Sequence, residues 1–355
     1  MILGQNHAPT GKPQPVVKEG EFIFAATALN HGHIYGMTNG LLEAGATLKY
    51  VFDKDPVKVK DFVEKYPQAK PVESLDVILQ DKEIHMVAAA AIPYLRSELG
   101  RKCMEYGKHY FTDKTPFTTL EQIELTRATV KATGKKYMCY FSERLHVESA
   151  VFAGQLIAEG VIGKVLNVVG LGPHRLNAPS RPKWFFEREK YGGILCDIGS
   201  HQIEQFLHFT GAKDAHVVSS RIANYNNPQF PELDDFGDAT LTADNGATNY
   251  FRVDWFTPNG LRTWGDGRLF IMGTKGSIEL RKYINVGVSD LNNHVFLITN
   301  DKEEYINVAG KVGYPYFGQL ILDCLNSTEN AMTQKHCFKA AELCIQAQMK
   351  AEKIR

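Results

Sequence analysis

The chain has 355 residues, 44% of them apolar and 23% charged, with a formal net charge of zero. That is the composition of an ordinary globular protein long enough for two hydrophobic cores, and zero net charge removes any bulk electrostatic case for nucleic acid or an anionic membrane. Its six cysteines are scattered without a C-x-x-C pair. They give no sign of a zinc ribbon or a disulfide framework, so reduced thiols in a cytoplasmic protein are expected.

Residues 1–20 are rich in Pro, Gly and polar groups and lack the apolar middle of a signal peptide. They read as a flexible N-terminal arm or a strap on a neighbouring subunit. Glu21 to Ala28 reads as a buried strand, and the turn Leu29 to Gly36 carries His31, Gly32 and His33. A helix is predicted over 37–44, closed by Gly45. Thr47 to Phe52 is a second strand, ending on Asp53. Residues 55–65 read as a helix, Met86 to Ile92 as a third apolar run, and 96–106 as a helix. Tyr110-Phe111 opens a run that ends on Lys114, residues 119–133 are helical, and Tyr137 to Phe141 is a further strand. Strands alternating with helices over 21–144 predict a parallel sheet with right-handed crossovers.

After about residue 145 the pattern changes. Helix 147–158 leads into strand Val165 to Leu171. Strands then follow one another at 217–224, 237–243, 247–255, 268–272, 276–281, 294–298 and 303–308. That predicts a second domain, 145–355, of α+β class with one large, mostly antiparallel sheet. Helices return at 315–326 and 334–353, the last placed to pack back on the first domain. No segment has the apolar length of a membrane span.

The first strand–turn–helix sits where a dinucleotide fingerprint belongs, but Ala28, Asn30 and His33 occupy the three glycine positions. Asp53 ends the next strand about 25 residues on, where a carboxylate binds a ribose 2′-hydroxyl and repels a 2′-phosphate. NAD is therefore favoured over NADP. His31 and His33 are candidates for the nicotinamide side of the cofactor, or plain substitutes for glycine. Gly32, Ile92, Asp113 and Lys114 complete the expected cofactor contacts.

Lys114 ends a strand at the carboxyl edge of the predicted sheet, where ligands of such folds collect. Gly192-Gly193-Ile194-Leu195-Cys196-Asp197-Ile198-Gly199-Ser200-His201 places an acid and a histidine four residues apart. If Gly199 lies in the first turn of a helix, Asp197 and His201 project to one side, as a proton-transfer pair. A plain helix cap at Asp197 is the alternative. Glu204 and His208 continue that face, so a metal site with His201 is a further alternative, although no metal is expected. His174, Arg175 and Trp184, on loops after a strand, suit a polyhydroxylated ligand: Trp stacks on a sugar face while Arg and His bond hydroxyls. Arg144, after the fifth strand, is placed to reach the same ligand.

Together these residues resemble the Gfo/Idh/MocA oxidoreductase family, the glucose–fructose oxidoreductase and inositol dehydrogenase group, from about residue 21 to the end. Asp113-Lys114-Thr115-Pro116 is similar to that family's Glu-Lys-Pro motif, and Gly192-Gly193…Asp197-x-Gly199-x-His201 to its Gly-Gly…Asp-x-Gly-x-His motif. The resemblance implies that Lys114 and His201 are catalytic and that Asp197 holds substrate and tunes the site. It also implies an NAD(P)-binding Rossmann domain and an open-faced sheet domain that mediates oligomers. Three departures stand out: the glycine fingerprint is degraded, Glu becomes Asp113, and Pro becomes Thr115, so a cis-proline bond is lost or shifted to Thr115-Pro116.

The expected activity is NAD-dependent oxidation of a secondary ring hydroxyl, with C3 preferred, in a pyranose sugar, glycoside or cyclitol. His201 would be the base and Lys114 the cation beside the developing oxyanion. Alternatives are a redox-neutral enzyme that retains NAD and cleaves a glycoside or eliminates a group, and an inactive regulator that binds NAD and a sugar. A homo-oligomer, dimer or larger, is expected, with no nucleic-acid or membrane partner.

Overall fold

The computed structural model describes residues 4–354. The chain divides into two compact units. The first comprises Gln5–Tyr140 and Tyr314–Cys337; the second comprises Phe141–Gly313 with Gly4 and residues 338–354.

The first unit runs β1 (Ile23–Thr27), α1 (His33–Glu43), β2 (Thr47–Phe52), α2 (Pro56–Lys65), β3 (Lys70–Pro71), α3 (Leu75–Gln80), β4 (Met86–Ala89), α4 (Arg96–Glu105), β5 (His109–Asp113), α5 (Leu120–Thr133) and β6 (Tyr137–Tyr140). Its six strands are all parallel, in the order β3-β2-β1-β4-β5-β6. Every residue of β4, β5 and β6 is buried, because helices cover both faces. Such strands read as unbroken apolar runs rather than alternating ones. Strand order reverses between β1 and β4, so the carboxyl ends of β1, β2 and β4 meet at the switch point where doubly wound sheets bind ligands.

Local chemistry sets the helix ends. Asp55 caps α2 by accepting the Val57 N–H with Pro56 behind it, and Thr119 caps α5 by accepting from Gln122 N–H. Helix α1 starts at His33, four residues before the predicted 37, since its first turn lacks the apolar spacing of Leu41 and Leu42. The run predicted as strand to Ile92 stops at Ala89; Pro93 opens a 3₁₀ turn instead. β3 and α3 are too short for a sequence period to mark.

Residues expected to be a flexible arm lie along α1. Asn39 Nδ2 donates to the carbonyls of Ala8 and Pro9, both at 3.3 Å, and Glu43 Oε1 accepts the Gly11 N–H at 2.8 Å. The Gln14 and Val16 N–H groups donate to the carbonyls of Glu43 and Ala44 at 3.0 and 2.9 Å. Nearer the turn, a Cβ at Gly32 would run into the carbonyl oxygen of Gln5, so glycine is needed there for close approach.

The second unit continues with α6 (Ser142–Leu145), α7 (Glu148–Ala158), β7 (Val165–Pro173), α8 (Arg188–Tyr191), α9 (Ile194–Asp197), α10 (Gly199–Thr210), β8 (Ala215–Ala223), β9 (Phe236–Ala243), β10 (Thr248–Asp254), β11 (Arg268–Gly273), β12 (Gly276–Arg281), β13 (His294–Thr299) and β14 (Glu303–Asn307). Then come α11 (Pro315–Asn326), which belongs to the first unit, α12 (Gln334–Lys350) and β15 (Glu352–Lys353). Nine strands form one sheet in the order β14-β13-β12-β11-β7-β10-β9-β8-β15. Neighbours are antiparallel except β7 with β10 and β8 with β15. Register puts Val168, Ile271, Ile278 and Leu297 in one buried row on the face that carries α10. The other face lines up Tyr250, Val169, Phe270, Glu279, Phe296 and Tyr305 across six strands. Tyr250, Phe270 and Tyr305 are exposed there.

All six cysteines are buried and outside any disulfide. Among the described residues no helix is long and apolar enough to cross a membrane.

One buried histidine makes the first unit acid-sensitive. His109 Nδ1 accepts the Lys136 N–H at 3.1 Å. Burial, followed by the charges of Lys135 and Lys136, pushes its pKa down to about 3. The unfolded chain therefore binds the extra proton first as pH falls below about 6.5. Stability contributed by neutral His109 is full above that pH and drops by about 1.4 kcal/mol per unit below it. His109→Asn is expected to flatten the slope of unfolding free energy between pH 6.5 and 4 in urea melts; an unchanged slope would refute this source.

Candidate active site

The turn after β1 is shaped without its usual glycines. Ala28 takes a left-handed φ of +51°, which costs an L-residue roughly 1–2 kcal/mol. The Asn30 N–H closes the turn on the Ala28 carbonyl at 2.8 Å. Asp53, just past β2, accepts the Leu29 N–H on Oδ2 at 2.6 Å and the Asp55 N–H on Oδ1 at 2.8 Å. The carboxylate expected at the ribose thus also braces the turn. Beside it lies a cavity of about 690 Å³, lined by Ala28, Asn30, Asp53 and Ile92 among others, with Lys54 and Lys102 also at its wall. Its size suits a small-molecule site, and a carboxylate, basic groups and apolar walls together fit the nucleoside part of a dinucleotide.

Asp113, the last residue of β5, is the hub of the neighbouring corner. Its Oδ1 accepts the Lys114 N–H at 2.7 Å and meets His33 Nδ1 at 2.8 Å. Its Oδ2 meets His31 Nδ1 at 3.1 Å and Arg96 Nη2 at 3.2 Å. Burial alone would raise this carboxyl, but His33, Arg96 and His31 outweigh it and hold it well below the usual range. Burial, with His33, pushes His31 down to about 4 against the pull of Asp113. Arg96 also donates to the Ala91 carbonyl at 2.7 Å and the Thr115 carbonyl at 3.0 Å. The cis peptide is Lys114–Thr115, not the Thr115–Pro116 bond, and Arg96 grips the carbonyl that follows it. Lys114 is buried beside this hub. Sequence reading missed Arg96; its one signal was an arginine opening a helix just after an apolar strand.

His31, His33 and Asp113 bring ligand atoms within 4.8 Å of one another. A dication there would have to share Asp113 with the Arg96 guanidinium, a like-charge arrangement that opposes it.

In the second unit, Gly192 and Gly193 both take positive φ, and a Cβ at Gly193 would collide with Gln348. Only glycine serves there, which is why the motif opens on two. Asp197 ends α9, and His201 lies buried in the first turn of α10. The N-cap of α10 is Ile198, without a side-chain cap, so the plain capping role for Asp197 is not met. Glu204 cannot complete a metal site with His201 and His208: Arg144 grips it, Nε on Oε1 and Oε2 at 2.7 and 2.9 Å and Nη2 on Oε1 at 2.5 Å. That fork also commits Arg144, expected at the ligand, to a buried ion pair.

The His174 ring packs tilted against Trp264 with centroids 4.5 Å apart, and its Nδ1 lies 3.2 Å from the Gly172 carbonyl. Arg175 is buried and its Nη2 donates to the carbonyls of Pro258 and Leu261 at 2.9 and 2.6 Å, tying two loops together. Trp184 packs edge-on to Phe185. Two charged residues that sequence reading missed are buried in this unit: Glu143 Oε2 accepts Lys282 Nζ at 2.7 Å. Burial would raise Glu143, yet Lys282, His201 and His174 together depress it below the carboxylate range.

Residues 29–141 match the oxidoreductase family with an NAD-binding Rossmann fold, and residues 151–279 match the GFO/IDH/MocA C-terminal domain. A D-xylose dehydrogenase of Paenarthrobacter nicotinovorans is 28% identical over 154 residues, 42% of this chain and 39% of that protein. A scyllo-inositol 2-dehydrogenase (NADP(+)) of Bacillus subtilis is 28% identical over 170 residues, 46% of each chain. The alignments thus span less than half the length of these two relatives. The crystal structure of an oxidoreductase from Erwinia carotovora atroseptica is 48% identical with a TM-score of 0.91, covering 94% of this chain and all of that one. With both domains matched in sequence, the chain belongs to the GFO/IDH/MocA family of oxidoreductases.

Proposed function

We propose that the protein is a dehydrogenase that uses NAD in preference to NADP and oxidises a secondary ring hydroxyl of a pyranose, glycoside or cyclitol. The observation that carries this reading is the Asp113 hub. It fixes Lys114 at the carboxyl edge of the Rossmann sheet and grips His31 and His33 on the cofactor turn. A bound nicotinamide would supply the acceptor for hydride from the carbinol carbon. Lys114 donates to the hydroxyl oxygen and favours its developing negative charge. His201 takes the hydroxyl proton, and Asp197 orients the ring or a neighbouring hydroxyl. His174, Arg175 and Trp184 shape the rest of the ligand site. C3 of a glucoside is the position to test first. The exposed row Tyr250, Phe270 and Tyr305 supports a homo-oligomer.

The test is absorbance of reduced nicotinamide when NAD-loaded protein meets methyl glucosides, free hexoses and inositols. A signal with one class names the substrate type; silence across the panel with NAD bound overturns the reading.

Asp53 offers a check on the cofactor. Asp53→Ser is expected to weaken NAD binding about ten-fold or more and to narrow the NAD/NADP preference, because both the ribose acceptor and the 2′-phosphate repulsion go. Dinucleotide titrations followed by fluorescence measure it, and an unchanged ratio would remove Asp53 from cofactor choice.

A further inference from the structure

Glu143 is an odd residue to find at 2% exposure. A carboxylate is rarely buried unless its lone pairs are satisfied. One oxygen is: Oε2 accepts from Lys282 Nζ at 2.7 Å and from Gln202 Nε2 at 3.3 Å. The other, Oε1, is buried without a hydrogen-bond partner. His174 Nε2 stands 3.9 Å from it, too far for a direct bond. His174 is beside it, and His201 with His174 acts electrostatically on this carboxylate, so the acceptor sits among groups proposed for the ligand. Lys282 is just as buried, at 1%, and is held by the opposite oxygen. It engages Oε2 and leaves Oε1 buried without a hydrogen-bond partner.

We infer that Glu143 Oε1 is a ligand-binding acceptor that takes a hydroxyl of a neutral polyol beside His174 and rejects sugar acids. The inference rests on the proposed dehydrogenase reading and narrows its substrate class. An oxygen with an open lone pair in a desolvated setting gains most from an O–H donor, and a hydroxyl set to one side of the 3.9 Å line between it and the imidazole is within hydrogen-bond distance of both. A ligand carboxylate at the same place would meet a fixed negative oxygen at close range and be excluded. Lys282 does not reverse this, because its ammonium is already engaged on Oε2.

The test compares equilibrium binding of methyl glucoside and myo-inositol with that of glucuronate, by calorimetry, on the NAD-loaded full chain. Glu143→Gln strands the Lys282 charge and risks the fold, so the double variant Glu143→Gln/Lys282→Met is measured beside it. The wild-type chain is expected to bind a neutral polyol at least ten-fold tighter than glucuronate. The double variant is expected to lose about ten- to hundred-fold for the neutral polyol, the value of one charge-assisted hydrogen bond, and to narrow its discrimination against glucuronate. Wild-type discrimination retained in a folded double variant overturns the role of Glu143 and leaves the dehydrogenase reading standing. Failure of the wild-type chain to bind any neutral polyol, with no reduced nicotinamide formed, overturns that reading and this inference together.

Discussion

Lys114→Ala is expected to lower kcat by about 10³-fold while the NAD dissociation constant stays within about three-fold, the uncertainty usual for a single contact. The reason lies in how the corner is built. Asp113 is held by Arg96, His31 and His33, and it accepts the backbone N–H of Lys114. Trimming the Lys114 side chain therefore leaves the hub, the turn after β1 and the cavity by Asp53 in place. On the proposed reading, what goes is the cation beside the reacting oxygen, a group that matters more in the transition state than in the ground state. Lys114→Arg keeps the charge and misplaces it, so it should recover little. Stopped-flow turnover with dinucleotide titration separates the two effects. Equal kcat in Lys114→Ala would remove the lysine from the chemistry. A large loss of NAD affinity with kcat intact would make it a cofactor contact instead.

A second large effect is expected from a buried ion pair, one turn along α10 from His201. Glu204 is fully buried and receives the forked Arg144 guanidinium on both oxygens. Glu204→Leu leaves that guanidinium without its counter-charge in a dry interior, which is expected to cost about 3–5 kcal/mol, a fall of about 10 °C in Tm. Arg144→Met/Glu204→Leu removes both charges and should return most of the loss, since an apolar pair of similar volume suffers no desolvation. Thermal melts of the three proteins decide it. A single variant that melts with the wild type would release Arg144 for the ligand role that its position first suggested.

What could be read from the sequence follows from the physics of each signal. The parallel sheet was legible because buried strands between helices leave long apolar runs, as at Met86–Ala89. The strands of the second sheet were legible as successive short apolar segments with few helices between them, as at 269–272. The Gly192-Gly193 motif showed itself because the backbone at Gly193 admits no side chain. Arg96, Glu143 and Lys282 were not legible. Each depends on partners distant in sequence, from 17 residues for Arg96 with Asp113 to 139 for Glu143 with Lys282. Nothing local distinguishes a buried lysine from a solvated one. The hydrogen bonds of the N-terminal segment were not legible for a related reason: Pro and Gly content reports poor self-structure, whereas Asn39 and Glu43 on another element supply its partners.

The burial of all six cysteines has a practical consequence. Burial pushes the Cys196 and Cys324 thiols up to about 12, so thiolate is scarce at neutral pH and the side chains are out of reach of reagents. A maleimide dye should therefore find almost nothing to attack on the folded protein. Val288, 78% exposed in the segment between β12 and β13, could be replaced by cysteine to give a single addressable handle. A fluorophore placed there would report on the folded chain without any native thiol having to be removed first.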